Sequence, residues 1–423
     1  MNNNLDGLYK RVSWRLMPFL FLCFVAAYLD RVNVGFAKLQ MQADLQFSDA
    51  VYGMGAGIFF IGYFIFEVPS NLLMTRAGAR IWIARIMISW GVISSALMFT
   101  NSAATFYVLR FLLGAAEAGF FPGIILYLTY WYPARRRARM VALFMSGVAV
   151  AGVVGGPLSG WIMKAFAGVN GWNGWQWLFL LEGLPSVLIG VWTLFYLDDG
   201  IRSANWLSET DKRLLEREIA ADRTQQLHMP LAQLFRNGTV WLLALVYFLC
   251  VMGLYGVSFW LPQLIKNSGV KDVFAIGLLS AVPYFVAAVV MVLAARHSDR
   301  TGERRWHTAG AALAGALGLV AATLYSDNTA IALAALSVAT AGILSTFPIF
   351  WSLPTALLGG AAAAAGIAMI NSIGNLAGFV APYLVGAIRD ATGSTASGIY
   401  LIAASLLAGA LLAVAAVRRL PGT

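Results

Sequence analysis

Ala26-Ala27-Tyr28-Leu29-Asp30-Arg31-Val32-Asn33 lies inside an apolar run from Leu16 to Phe36. A run of that length and composition crosses a bilayer as a helix. An acid and a base side by side within it are costly in hydrocarbon, and such residues mark function by default. At about 100° per residue, Tyr28 and Arg31 share a face with Gly35, and Asp30 shares another with Asn33. A cation on one face and an acid on the next suit anion binding joined to proton uptake. The alternative is an ion pair that closes a polar bundle interior.

The rest of the chain reads the same way. Of its 423 residues 60% are hydrophobic and only 11% charged, against about 25% charged in soluble domains. Too few charges to cover a soluble surface imply an all-α polytopic membrane protein. At about 20 apolar residues per crossing, twelve helices are expected, at 15–36, 51–74, 82–101, 105–130, 139–165, 175–197, 240–265, 273–295, 307–325, 330–352, 362–388 and 397–417. An even number puts both termini on one face. Lys10, Arg11, Arg15, Arg76, Arg80, the run Arg135–Arg139, the basic residues from Arg202 to Arg236 and from Arg296 to Arg305, Arg418 and Arg419 fall on that face. Lys38, Lys164, Lys266, Lys271 and Arg389 fall on the other. This bias places both termini in the cytoplasm. It also accounts for the net charge of +10, so no nucleic-acid partner is expected. Cys23 and Cys250 sit in apolar runs and offer no disulfide framework. His and Cys are too few and too scattered for a metal site, and no cofactor is expected. The first apolar run lacks a small-residue cleavage pattern, so no cleavable signal peptide is expected.

The organisation is two six-helix halves, 1–197 and 240–423, joined by a polar segment at 198–239. Ser208-Glu209-Thr210-Asp211 has the form of a capping box opening a short amphipathic helix there. The halves look like repeats: Arg76-Ala77-Gly78-Ala79-Arg80 after helix 2 is echoed by Asp299 to Arg305 after helix 8, and Gly156-Pro157 by Ala381-Pro382. Parallel six-helix repeats are one way to build an alternating-access carrier.

The predicted helices of the second half hold no charge before Arg389, whereas those of the first hold Asp30, Arg31, Glu67, Arg85, Arg110, Glu117 and Glu182. Anion capture and proton coupling are therefore expected in the first half, with neutral and aromatic walls from the second. Arg110, Gly114 and Glu117 form one stripe of helix 4, and the glycine lets a ligand or a neighbouring backbone approach. Arg31 and Arg110 together could hold a carboxylate by paired, charge-assisted bonds; alternatively Arg110 and Glu117 neutralise each other. Asp30 and Glu117 are the candidate proton carriers. Glu67 is expected to pair with loop arginines, Glu182 to face a wet vestibule, and Arg85 to snorkel. From the second half, Trp351, Asn371, Asn375 and Tyr383 are singled out as candidate contacts; the amides could instead tie helices together, and Trp351 could be an interfacial anchor.

These residues resemble the major facilitator superfamily over essentially the whole chain. Within it they resemble the anion:cation symporter family, which includes bacterial tartrate, phthalate, hydroxyphenylacetate and hexonate carriers. The motifs are Tyr28 to Asn33, Phe59-Phe60-Ile61-Gly62-Tyr63, Glu67-Val68-Pro69-Ser70-Asn71, Arg110 to Gly114, Gly119-Phe120-Phe121-Pro122-Gly123 and Asn371-Ser372-Ile373-Gly374-Asn375. Long runs such as Ala27–Leu39 and Ala115–Pro133 are most similar to tartrate transporters. The resemblance implies that Arg31 binds the substrate carboxylate, that Asp30 and Glu117 take protons, and that Arg110 supports coupling. It also implies that Tyr28, Tyr63, Trp351 and Asn371 line the pocket. Arg76, Arg80, Asp299 and Arg300 would act in gating. The family's usual Gly and Asp between helices 2 and 3 are Asn71 and Thr75 here, so gating would lean on the second copy, which keeps Asp299. A helix-5 glutamine of some sugar-acid carriers falls at Val148, which disfavours a hexonate.

The expectation is a monomeric, proton-coupled importer of a small organic carboxylate in a bacterial inner membrane. Tartrate or a related hydroxy-dicarboxylate leads and an aromatic acid is second. The rival is a proton-driven efflux antiporter. An intramembrane enzyme is disfavoured because His228, His297 and His307 all fall in or beside loops, away from any buried nucleophile.

Overall fold

The computed structural model describes residues 2–223, 236–351, 353–354 and 361–417. His228, Arg418, Arg419 and residues 224–235 of the linking segment lie outside them. Twelve described helices are long and apolar enough to cross a membrane. In chain order, spans 1 to 6 are Leu5–Asp44, Asp49–Ala77, Ala79–Phe99, Ala103–Thr129, Arg139–Ala165 and Gly174–Tyr196. Spans 7 to 12 are Gly238–Asn267, Val273–Thr301, Arg305–Leu324, Thr329–Phe350, Gly366–Thr392 and Thr395–Ala415. No strand forms among the described residues. Helices satisfy their own backbone groups where lipid cannot.

Span 1 is much longer than the 15–36 run suggests. Its helix starts at Asn2, and after a break at Asn33 a second helix runs Val34–Asp44. Lys38, expected in a loop, is therefore inside the span. Other spans break too: span 4 between Glu117 and Phe120, span 5 at Ser146, and span 11 at Leu376. At the span 4 break Gly119 has φ +86°, a left-handed conformation that favours glycine. In the linking segment the expected cap is present: Ser208 Oγ accepts from the Asp211 amide at 3.2 Å, and a helix runs Glu209–Arg223. Leu215 and Ile219 are buried on its inner face.

The two halves meet along spans 2 and 11 and along spans 5 and 8. On the face away from the termini the contact is backbone on backbone. A Cβ built on Gly156 would sit 2.6 Å from the Gly277 carbonyl oxygen, and one on Gly277 only 2.3 Å from that of Gly156. A charged clamp reinforces that face. Lys38, 1% exposed, pairs with Asp49 at 2.7 Å and lies 3.5 Å over the Trp260 ring. Arg389 reaches the same Asp49 at 3.1 Å, and Asp390 accepts the amides of Asp49 and Ala50 at 3.0 and 2.8 Å. Within the first half, on the terminal face, a cavity of about 930 Å³ opens between the start of span 1 and the start of span 5, beside Trp14, Phe21 and Arg139.

Candidate functional site

The two faces read from the span 1 sequence point where their spacing says. Tyr28, Arg31 and Gly35 all turn to span 7. Tyr28 Oη lies 3.1 Å from Ser258 Oγ, Arg31 Nη1 donates to Tyr255 Oη at 3.1 Å, and Gly35 packs on the Ser258 and Phe259 backbone. Asp30 turns the other way, into the first half. It is fully buried and accepts from Trp90 Nε1 and Ser94 Oγ, both at 2.9 Å, and from Ser186 Oγ at 2.5 Å. Adjacent in sequence, Asp30 and Arg31 serve different environments and form no pair with each other.

The partner of Arg31 is Glu117. Arg31 Nη2 forms an ion pair with Glu117 Oε1, with side chains 12% and 1% exposed. Glu117 Oε2 and Arg31 Nε have no hydrogen-bond partner. The Phe59 and Tyr63 rings flank the guanidinium at 5.4 and 5.5 Å. Tyr255 also packs on Phe60, 4.4 Å between ring centres. The pair thus stands where the two halves meet, and the break at Gly119 places Glu117 at the end of its helix segment.

Arg110 departs from expectation. It forms no ion pair with Glu117, which is taken by Arg31, and its Nη1 has no hydrogen-bond partner. It is fully buried behind Phe59, 5.1 Å from that ring. Its Nε and Nη2 donate to the carbonyls of Gly55 and Ala56 at 3.1 and 3.0 Å, tying span 4 to span 2. Gly114 serves a neighbouring backbone and not a ligand: a Cβ there would lie 1.8 Å from the Phe59 carbonyl oxygen.

Two further acids sit differently from the sequence reading. Glu67 bonds across the halves, accepting from Ser372 Oγ at 3.1 Å, where loop arginines were expected. Glu182 is 5% exposed and accepts from Ser159 Oγ at 2.7 Å, so it is no vestibule residue. Arg85 stacks over Trp82 at 4.1 Å.

In the second half, Trp351 packs on Tyr247 with 4.8 Å between ring centres, and Gly374 lies directly against the same ring. Asn371 and Asn375 are half-buried on either side of that glycine, next to the Ser372 bond to Glu67. The gating candidates are not joined across the halves by any described bond. Asp299 pairs with Arg304 within its own loop at 2.6 Å, while Arg76 and Arg300 are exposed. The Arg80 amide donates to Asp199 at 2.9 Å. Sequence reasoning missed Tyr255, Ser258 and Tyr284, whose hydroxyl donates to Ser258 at 3.2 Å. Their only signal was polarity recurring along otherwise apolar runs.

Comparison with known proteins gives the family and the fold. The Major Facilitator Superfamily model matches residues 20–382. The chain is 47% identical over 419 residues to a Pseudomonas putida protein named "Putative metabolite transport protein NicT", covering 98% of this chain and 95% of that one. It is 49% identical over 425 residues to an Agrobacterium vitis protein named "Putative tartrate transporter", covering 100% and 97%. The crystal structure of a D-xylose–proton symporter superposes with a TM-score of 0.75 at 16% identity, covering 95% of this chain and 97% of that one. With twelve spans among the described residues, a family model matching residues 20–382 and relatives that align over nearly the whole chain, the chain belongs to the major facilitator superfamily and is a membrane transporter of organic substrates.

Proposed function

We propose that the protein imports an organic carboxylate together with protons, by alternating access between its two halves. The Arg31–Glu117 pair where the halves meet carries this reading. While Glu117 is ionised it occupies the guanidinium. When Glu117 takes a proton that attraction is lost, and the planar fork of Arg31 can bind a substrate carboxylate by two charge-assisted bonds. Substrate and proton then enter together, and the carboxylate held by Arg31 is not left an unpaired charge in the membrane. Asp30, on the other face of span 1, holds a further proton. Arg110 keeps span 4 in register with span 2 so that Glu117 meets Arg31.

Tyr28, Tyr63, Trp351, Asn371 and Asn375 complete the walls, the last three from the second half. The halves 1–197 and 240–423 rock about their seam, with 198–239 as linker. The basic bias sets both termini in the cytoplasm of a bacterial inner membrane. Arg76, Arg80, Asp299 and Arg300 then act on the cytoplasmic gate. Tartrate or a related hydroxy-dicarboxylate is the first substrate, supported by the tartrate-transporter relative. An aromatic acid is second, favoured by the rings of Phe59, Tyr63 and Tyr255 around the guanidinium.

The test is uptake into proteoliposomes under an inwardly directed proton gradient, with tartrate, malate, phthalate and 4-hydroxyphenylacetate as probes. Accumulation of one of them that collapses with the gradient is expected. Uptake driven only by the reverse gradient would mean export, and sink the import reading.

A further inference from the structure

We propose that Glu182 is a third membrane-embedded proton carrier, which exchanges protons with a water-sized cavity at the seam of the halves and passes them to Asp30. The proposal rests on the proton-coupled reading above and adds the route.

The cavity lies at the seam of the halves, lined on one side by Asn33 and Ser159 and on the other by Ser258, Ser280 and Tyr284. Its volume is about 20 Å³. A single ordered water needs roughly 10–15 Å³, and two to four polar partners. Both conditions are met. Asn33 supplies the most telling partner. It is 1% exposed, it lines the cavity, and neither its amide nitrogen nor its oxygen has a hydrogen-bond partner. An unmet buried amide costs about 1–3 kcal/mol, so a side chain left that way is one that a ligand or water serves.

Ser159 connects the cavity to Glu182, donating to Oε1 at 2.7 Å, and Glu182 Oε2 has no partner. The Asn33 side chain faces the same carboxyl. Inward, Ser186 is one helical turn from Glu182 on span 6, and its hydroxyl is bonded to Asp30. Asn33 is likewise one turn from Asp30 on span 1. The two acids therefore face each other across one turn, and in the transfer the Glu182 carboxyl loses the proton that the Asp30 carboxylate gains.

The groups facing Glu182 are Asp30 and Asn33 from span 1 and Ser159 from span 5. No cation faces it among the described residues. Lys38 is held by Asp49, Arg31 by Glu117, and Arg110 by two carbonyls. No cation there competes with a proton for the carboxylate.

The experiment is pH-step uptake into proteoliposomes, using whichever of the four acids the wild type accumulates, beside solute counterflow at equal pH. Counterflow needs a folded, rocking carrier but no net proton movement. Glu182→Gln is expected to keep counterflow and lose at least tenfold in pH-driven accumulation, with a flattened dependence on external pH. Glu182→Asp should restore part of that dependence. Accumulation and pH profile equal to wild type in Glu182→Gln would overturn the proposal, and so would loss of counterflow along with accumulation. Should that variant fail to fold, Ser159→Ala decides: a displaced pH profile supports the relay and an unchanged one overturns it. If the wild type accumulates none of the acids on a pH step, the symport reading itself falls and takes the relay with it.

Discussion

Gly277→Ala should act on one conformation of the carrier and leave the fold alone. The new Cβ would lie 2.3 Å from the Gly156 carbonyl oxygen, where Cβ contacts under 3.0 Å essentially do not occur and ordinary contact begins at 3.4 Å. Both sides are backbone, so no rotamer relieves the clash, and the seam must part by roughly 0.7–1.1 Å. Overpacking of this size costs about 1–3 kcal/mol. Span 8 and span 5 belong to different halves, so the cost falls only where those halves touch. The helix preference of alanine over glycine, about 0.5–1 kcal/mol, applies in every conformation and cancels. The population closed on the face away from the termini should therefore fall by about 5–150-fold relative to the open one. The assay is a spin-label distance between Val169→Cys and Lys271→Cys across that face, since Cys23 and Cys250 are both buried. A longer distance distribution with little change in melting temperature is expected. Gly114→Ala is the control: its Cβ would meet the Phe59 carbonyl at 1.8 Å inside one half, so it should lower the melting temperature without shifting the distance. If Gly277→Ala behaved like Gly114→Ala, the seam would be a fixed part of the core and the reasoning would fail.

Arg31→Lys keeps the charge but loses the fork, and should weaken carboxylate binding at least tenfold by thermal shift or calorimetry; near-normal affinity would leave Arg31 a structural partner of Glu117. Glu117→Gln stands for the protonated acid and should free Arg31, so that counterflow persists while accumulation against a gradient disappears; retained pH-driven accumulation would remove Glu117 from coupling. Trp351→Ala and Asn371→Ala should reorder affinities among the acids without altering the proton-to-substrate ratio. Asn371→Ala should cost about 1–3 kcal/mol for an acid left with an unpaired group in a dry site, and reversal potentials would expose any change in the ratio.

The fold was legible because lipid imposes long apolar runs, and all twelve spans match runs that hydropathy picks out. The faces of span 1 were legible too, since helical period alone separates Tyr28 and Arg31 from Asp30. Helix limits were not. The stretches from Leu5 to Trp14 and from Ala37 to Asp44 continue a helix that composition ends early, because packing of buried residues such as Leu8, Tyr9, Val12, Leu39 and Met41 on neighbouring elements holds them. Partners were the other failure. The stripe Arg110–Gly114–Glu117 suggested a local pair, but Glu117 answers to Arg31 on span 1 and Arg110 to carbonyls on span 2. Such choices depend on how whole helices rotate against each other, which short-range periodicity does not encode. Tyr255, more than 200 residues from Arg31, could not be placed beside it for the same reason.

The Lys38 clamp bears on timing. In the closed state its ammonium is dehydrated against Trp260 and held by Asp49, with Arg389 on the same carboxylate. Opening that face gives these ions back to water, so the energy lost in the pairs is largely regained as hydration, and the two ends of the motion differ little. Between them lies a moment when the pairs are stretched and water has not yet arrived, and there nothing compensates. The clamp is thus a latch with a high sill and a nearly level floor. It governs how often the far face opens and leaves almost untouched the fraction of time the carrier spends in each state, and relaxation after a substrate jump in a Lys38→Met variant would read that difference directly, as faster opening at an unchanged resting population.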